Sequence, residues 1–476
     1  MLPTISTGNV SSALAGEYEV ANSCRFNSDA YMVKNIVSPT NQKKYTISVW
    51  VKRSVISSRQ RIFSVIDTSN TAAYSYLEFQ SDDKLNFDDF DGSSTRLTRT
   101  TNRKFRDPSA WINIIIAVDT TLSSASSRVK MYINGTEETD FASTSNASQD
   151  FNTTTLNSSK TFRIAEHGTA GFRFGGYMCE FVLIDGSQLD QTSFGEFDSD
   201  SPNIWKPKDV SGLTFGNNGF YLDFEDSSNL GNDANGGTDF TETSLASTDQ
   251  SIDTCTNNFA TLNPIYHYIS SATLSEGNLK FTTSGNSSKG RGISTIRPES
   301  GKWYVEVKIT DVTRFQMGIM NGNETNSAQG GDDANSVAFG YGGDFYFNGT
   351  LYSSYTSALS NGNIVQLALD LDNDLFWFGV NDTWGNSATR TEIENGTATN
   401  SGSTDIGSQS PVNTGAIGIF IEDNSGTGNN VSEINFGSPS YSISSGNSDA
   451  NGYGNFEYAV PSGYFALCTK NLAEYG

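Results

Sequence analysis

Basic residues, histidine, cysteine and long apolar runs are all scarce in this chain of 476 residues. Its 30 Lys and Arg stand against 53 Asp and Glu, for a formal net charge of −23, and no basic cluster interrupts the acidity. Nucleic-acid binding needs Lys and Arg to displace counterions from phosphates, so that class is excluded, as is attraction to anionic lipid. Only His167 and His267 are present. Histidine is the commonest general acid/base, and neither residue is accompanied by a G-x-S-x-G nucleophile elbow, so both are expected to be structural or surface residues. The four cysteines, Cys24, Cys179, Cys255 and Cys468, form no C-x-x-C pair, which removes a zinc site of that type. They are expected as buried thiols, with a Cys24–Cys179 disulfide as an alternative because both fall in one proposed domain. No stretch of 18 apolar residues is present, and the start MLPTISTGNVSSALAG lacks a basic and an apolar segment, so neither membrane insertion nor a signal peptide is expected.

Strong helix formers are also sparse, whereas Asn, Ser, Thr and Gly abound. The hydrophobic fraction is 36%, yet 30 Phe and 20 Tyr are available. A buried ring removes about 150–250 Å² from water, and sandwich cores are thin layers. The composition therefore predicts an all-β chain of β-sandwiches.

Short strand patterns with turn signals begin near Tyr45. TISVWVKR (46–53) alternates apolar and polar residues, RIFSVI (61–66), SYLEFQ (75–80) and KLNFDDF (84–90) follow, and WINIIIAVD (111–119) is apolar enough for a central strand. RVKMYING ends in Asn134-Gly135, a type I′ hairpin dipeptide. FRIAEHG (162–168) and GYMCEFVLIDG (176–186) complete the first set. In the second half, GNLKFTTS (277–284) and GKWYVEVKITD (301–311) precede FQMGIMNG, SVAFGYGG and DFYFNG. The hairpin IVQLALDLDNDLFWFGVND (364–382), AIGIFIED and VSEINFG then end the pattern. Trp303, Val305, Val307 and Ile309 alternate onto one face.

Two resemblances follow from these residues. TISVWVKR, WINIIIAVD, VKMYING and GYMCEFVLIDG resemble the concanavalin A-like lectin/glucanase superfamily, of laminin-G-like type. GKWYVEV, the VQLALDLDNDLFWF hairpin and the late INFG resemble a SPRY-type sandwich. The implied organisation is an N-terminal extension (1–19), a laminin-G-like sandwich (20–200), a structured connector (201–263), a SPRY-like sandwich (264–445) and a C-terminal segment (446–476) packing on it. The whole arrangement, with WKP…GFYLDF…TNNFATLNP between the sandwiches and PSGYFALCTKNL near the end, resembles virion proteins of marine bacteriophages described as tail-fibre or appendage proteins. That resemblance implies a virion location, a homo-oligomer (a homotrimer by analogy), partners among other virion proteins, and recognition of a host-surface glycan. A purely structural virion subunit and a glycan-degrading enzyme are the competing readings.

Glucanases of this superfamily use two carboxylates, which an E-x-D-x-x-E strand presents on one face. Glu196-Phe197-Asp198 begins that pattern, but position 201 is Ser, so the chain is expected not to be an enzyme. Asp88, Asp89 and Asp91 are expected in a turn before Gly92. Calcium is the candidate ion, because lectin-like sandwiches carry it at loop rims and it takes six to eight hard oxygens. Asp370, Asp372 and Asp374 imitate an EF-hand start but lack its Gly and Glu. Asp223, Glu225, Asp226 and Asp233 are the better candidate ligands. For sugar stacking, Trp384 in the polar NDTWGN stretch is the candidate exposed ring, with Asn381, Asp382, Tyr341 and Tyr346 as further candidates, whereas Trp377 is expected in the core.

Overall fold

The computed structural model describes residues 18–476 except 28, 67–72, 94–95, 169–170, 267–271, 284–289, 323–328, 408–410, 412–414 and 424–427. His267 and most of the 1–19 extension lie outside the described residues. Two compact units are present, spanning 14–256 and 257–476, and each is built from two antiparallel sheets around an apolar core. The fold is all-β.

In the first unit, one sheet runs in the order Thr136–Glu137, Val129–Ile133, Trp111–Asp119, Lys44–Arg53, Gly176–Asp185, Ser23–Phe26 and Gln250–Ser251. The facing sheet includes Gln60–Ile66, Tyr74–Phe79, Lys84–Phe90 and Thr161–Ile164, and reaches Tyr31–Asn35 and Thr241–Thr243 at one edge. Trp111–Asp119 is buried along its whole length because both of its faces are covered. Ile112, Ile114, Ile116 and Val118 enter the core between the sheets, while Ile115 and Ala117 face outward beneath Phe194, Val210, Phe215 and Tyr221. A strand covered twice reads as a continuous apolar run, which is the pattern of WINIIIAVD.

That outer cover corrects the expected connector. Residues 201–251 are sewn into the first sandwich: Phe220–Leu222 pairs with the 176–185 strand, Thr241–Thr243 with 31–35, and Gln250–Ser251 with 23–26. The apolar outer positions Ile115, Val182 and Ile184 would otherwise meet water. Residues 258–263 join the second unit, where Ala260 N donates to Leu467 O (3.0 Å) and Thr295 N to Thr261 O (2.7 Å).

In the second unit, one sheet contains Lys302–Asp311, Ile364–Asp370 and Leu375–Val380, with Val431–Asn435 on the other side of Lys302–Asp311. Its partner sheet carries Gly418–Asp423, Phe315–Met320, Ser336–Gly340, Phe345–Phe347 and Thr350–Tyr352. Trp303, Val305, Val307 and Ile309 all enter the core, as their alternation predicts. The alternate face carries buried Tyr304, whose ring meets Phe456 edge-on at 5.0 Å, and buried Glu306, which accepts from Glu457 N and Tyr458 N. The C-terminal stretch therefore packs on this unit through backbone donors to a buried carboxylate. Among the described residues, no helix is long and apolar enough to cross a membrane.

Candidate functional site

The structure separates the candidate sugar-binding residues of the second unit. Trp384 is 7% exposed. It pairs across the sheet with Gly379, where a Cβ would lie 2.9 Å from the indole Cε3, so the missing side chain makes room for the ring. The expectation of an exposed Trp384 is thus corrected: a polar sequence neighbourhood hid a cross-strand glycine seat. Asn381 (φ 48) and Asp382 (φ 64) are the two central residues of a hairpin turn between Val380 and Thr383, with both φ positive as a type I′ turn requires. Asn381 Oδ1 accepts from Ile364 N (2.9 Å), and Asp382 N donates to Gln366 Oε1 (2.6 Å). The Asn381 side chain and the Asp382 backbone are thus engaged locally, while the Asp382 carboxylate is exposed. Tyr341, 40% exposed, and half-buried Tyr346 remain at the surface, the latter opposite Leu351 on the sheet edge. Tyr346 lies in a strand of the partner sheet and Tyr341 in the turn that precedes it, whereas Trp384 belongs to the other sheet. Trp377 is fully buried.

The candidate calcium ligands do not converge either. Asp223 caps Glu225 N (3.1 Å) and Asp226 caps Ser228 N (2.9 Å), and Glu225 is exposed. Asp233 is buried against Lys34 Nζ (3.1 Å) and accepts from Tyr221 N (3.0 Å). Among the described residues, no three His, Cys, Asp or Glu side chains gather as a metal-holding group. The hairpin acids are committed too: Asp370 pairs with Lys302 Nζ (2.9 Å), and Asp372 accepts from Gly301 N (2.7 Å).

The candidate acids of the first unit have structural partners. Glu196 and Asp198 pair with Lys208 (3.6 Å) and Lys206 (2.9 Å). Buried Asp89, placed in a strand rather than a turn, accepts from Thr154 N (2.8 Å) and Thr155 N (3.0 Å); burial pushes its carboxyl up to about 6. His167 stands edge-on to Phe172, and its pKa is lowered, first by burial and then by Arg61 and Arg59.

A recess that sequence reading missed opens on the first sandwich. It is a groove of about 320 Å³ whose lining includes Val33, Val37, Asn217, Asn235, Thr238 and Asp239. Its floor is the edge of the 31–35 strand, and its two walls are turns from the stretch expected to be a connector. Asp185, at the end of the 176–185 strand, fixes one wall. Its carboxylate accepts from Thr40 N (2.8 Å), Asn41 N (3.2 Å) and both Asn218 N (3.1 Å) and Asn218 Nδ2 (3.2 Å). Asn218 Oδ1 in turn accepts from Val37 N (2.7 Å). Asp233 fixes the other wall, accepting from Tyr221 N and Asn235 N while its second oxygen holds Lys34. A Cβ at Gly237 would fall 2.3 Å from Asp233 Oδ2, so glycine lets the wall close over the ion pair. Asp239 Oδ1 accepts from Asp233 N (3.0 Å).

With the walls fixed, some groups are left for a ligand. The Asn235 side-chain amide and the Thr238 hydroxyl are exposed and have no hydrogen-bond partner among the described residues. Val37, 60% exposed, and half-buried Val33 both line the recess and add apolar surface to it. An amide, a hydroxyl and a small apolar surface carried on braced backbone suit a neutral polyhydroxylated ligand.

Residues 26–190 match the family model of the concanavalin A-like lectin/glucanases superfamily termed Laminin_G_3. No curated protein matches the chain. Among solved structures, the chain is similar to the SPRY domain of human HERC1 at 15% identity and a TM-score of 0.27, covering 34% of this chain and 91% of that one. It is similar to stonustoxin at 17% identity and a TM-score of 0.25, over 37% of this chain and 27% of that one. A heptameric SAP-like pentraxin from Limulus polyphemus is similar at 13% identity and a TM-score of 0.25, over 36% and 80% of the two chains.

Proposed function

We propose that this chain is a recognition protein that binds a neutral cell-surface polysaccharide in the groove between the 216–219 and 233–239 turns, and that it performs no chemistry on it. The observation that carries this reading is the pairing of two carboxylate-braced walls with unspent donors and acceptors at Asn235 and Thr238. Walls whose backbone is braced before the ligand arrives lose little entropy on binding. The net charge of −23 repels acidic glycans, which favours neutral ones. The lectin-like superfamily match over residues 26–190, within the unit that bears the groove, supports the same reading.

The proposed setting is a bacteriophage particle, with the chain as a fibre, spike or head-knob subunit, homotrimeric and docked to other virion proteins. Support for that setting is the sequence resemblance in the 201–263 stretch and the PSGYFALCTKNL ending. Support for a non-enzymatic role is that Glu196, Asp198 and Asp89 are each engaged in structural pairing. A glycan array probed with the purified chain should show binding to neutral polysaccharides over acidic ones, with no release of reducing ends. Cleavage of the bound glycan would overturn the non-enzymatic reading.

A second reading, docking to a protein partner, is favoured by the exposed edge formed by Tyr341, Tyr346 and Leu351, the last 48% exposed. Aromatic residues are enriched at interfaces.

A further inference from the structure

Cys24 and Cys179 sit on neighbouring strands of one sheet but face opposite sides of it. Cys24 is in register with Met178, and both lie in the core between the sheets. Cys179, one residue on, points to the outer face, among Val20, Trp50, Trp111, Tyr177 and Trp205. Side chains alternate across a strand, so no rotamer brings these two sulfurs together. The neighbour of Cys179 is instead Cys255, which packs against the same outer cluster. The two thiols are close enough to shift each other's titration: the interaction lowers Cys179 and raises Cys255, while burial, the larger effect, raises both.

The contact is built from both sides. The segment leading to Cys255 is laid across the sheet by Asp253, whose carboxylate holds Lys52 Nζ (2.7 Å) and Trp111 Nε1 (3.0 Å). Ser23 Oγ donates to Asp253 O (2.6 Å), and Thr256 Oγ1 accepts from Val20 N (3.1 Å). Cys179 is held within the strand paired to Lys44–Arg53. Closing the bond brings the two sulfurs to about 2.05 Å.

We propose that Cys179 and Cys255 are a dithiol/disulfide pair, closed by exchange with a small-molecule disulfide such as oxidised glutathione. Cys255, the less buried of the two residues, loses its thiol proton and attacks one sulfur of that disulfide, expelling the first small thiolate and leaving a mixed disulfide on Cys255. The Cys179 thiolate then attacks Cys255 Sγ, forming the protein S–S bond and expelling the second small thiolate. Two protein thiols are oxidised, one small disulfide is reduced to two thiolates, and the two protein protons pass through solvent to protonate them. Burial raises both thiols above their ordinary range, so closure is slow at neutral pH and quickens as pH rises. The bond locks the segment that ends the first sandwich onto its central sheet. The proposal is independent of the groove.

The test is to incubate the reduced full chain with oxidised glutathione at pH 8.5 and map its peptides without reduction. The expected result is a Cys179–Cys255 linkage, lost in Cys255→Ser and retained in Cys24→Ser. A melting temperature about 5–10 °C higher than that of the reduced chain should accompany it. A persistent glutathione adduct on Cys255, a linkage involving Cys24 or Cys468, or unreacted Cys179 and Cys255 after complete exposure would each overturn the proposal.

Discussion

Trp384 shows how one residue changes role once its neighbours are known. With its ring seated on Gly379 and largely buried, Trp384→Ala is expected to lower unfolding free energy by about 3 kcal/mol, read from the denaturant midpoint. Glycan binding by the folded fraction should be unchanged; a loss of binding with unaltered stability would restore the ring as a ligand contact. Glu180 is the second informative residue. It occupies a bulge in the 176–185 strand at φ 50, buried, with its carboxylate accepting from Tyr221 OH (2.9 Å) and Tyr18 OH (3.0 Å). Burial raises its pKa from 4.5 to about 7, more than the two hydroxyls lower it. Between those values the folded chain holds a proton that the unfolded chain has released, so this group's stabilisation is complete below pH 4.5 and is lost as pH rises through 7. The shift corresponds to up to about 3 kcal/mol. Asp89, raised to about 6, adds to the same slope. Glu180→Gln keeps a side chain that the tyrosine hydroxyls can bond and should flatten the decline in stability between pH 5 and 7; an unchanged slope would show that this carboxyl does not carry it.

At the scale of elements, turns account for several residues whose chemistry suggested binding. Asn134 (φ 47) and Gly135 (φ 72) form the expected type I′ turn, and Asn381-Asp382 form a second one in NDTWGN, a stretch that reads as a turn from sequence without its type. Glycine is the preferred second residue of that turn, so Asp382→Gly is expected to stabilise the second sandwich by about 0.5 kcal/mol. Thermal melting checks this, and destabilisation would mean that the Asp382 carboxylate does more than the turn needs. Strands with an apolar face or two covered faces were legible from sequence, as 44–53, 111–119 and 302–311 show. Arg96–Lys104 and Phe141–Ser145 were not, because RLTRTTNRK and FASTS contribute little to the core: only Leu97 of the former lies in it, and Phe141 of the latter only packs against it. Their strand identity comes from pairing with Lys84–Phe90 and with each other. The 201–251 stretch misled for a related reason. Its rings divide between the outer sheet face, where Phe215 and Tyr221 lie, and the core between the sheets, which Phe220, Phe224 and Phe240 enter, so the stretch follows the shape of what it packs on rather than a period of its own.

At the scale of the molecule, the all-β class was readable from composition and alternation and the concanavalin-like character from a family resemblance, whereas the groove was not. Its walls depend on contacts between residues far apart in sequence, Lys34 with Asp233 and Thr40 with Asp185, and each of these side chains reads locally as an ordinary solvated polar group. The central claim is that this groove holds the glycan. The most direct measurement is calorimetric titration of the preferred neutral oligosaccharide into three proteins: the parent chain, Asn235→Ala/Thr238→Ala, and Tyr341→Ala/Tyr346→Ala. Removing two hydrogen-bonding side chains at about 0.5–1.5 kcal/mol each predicts at least a fivefold weaker affinity for the groove variant and an unchanged affinity for the tyrosine variant. Parent-like affinity in the groove variant, with binding lost in the tyrosine variant, would contradict the account and move recognition to the second sandwich.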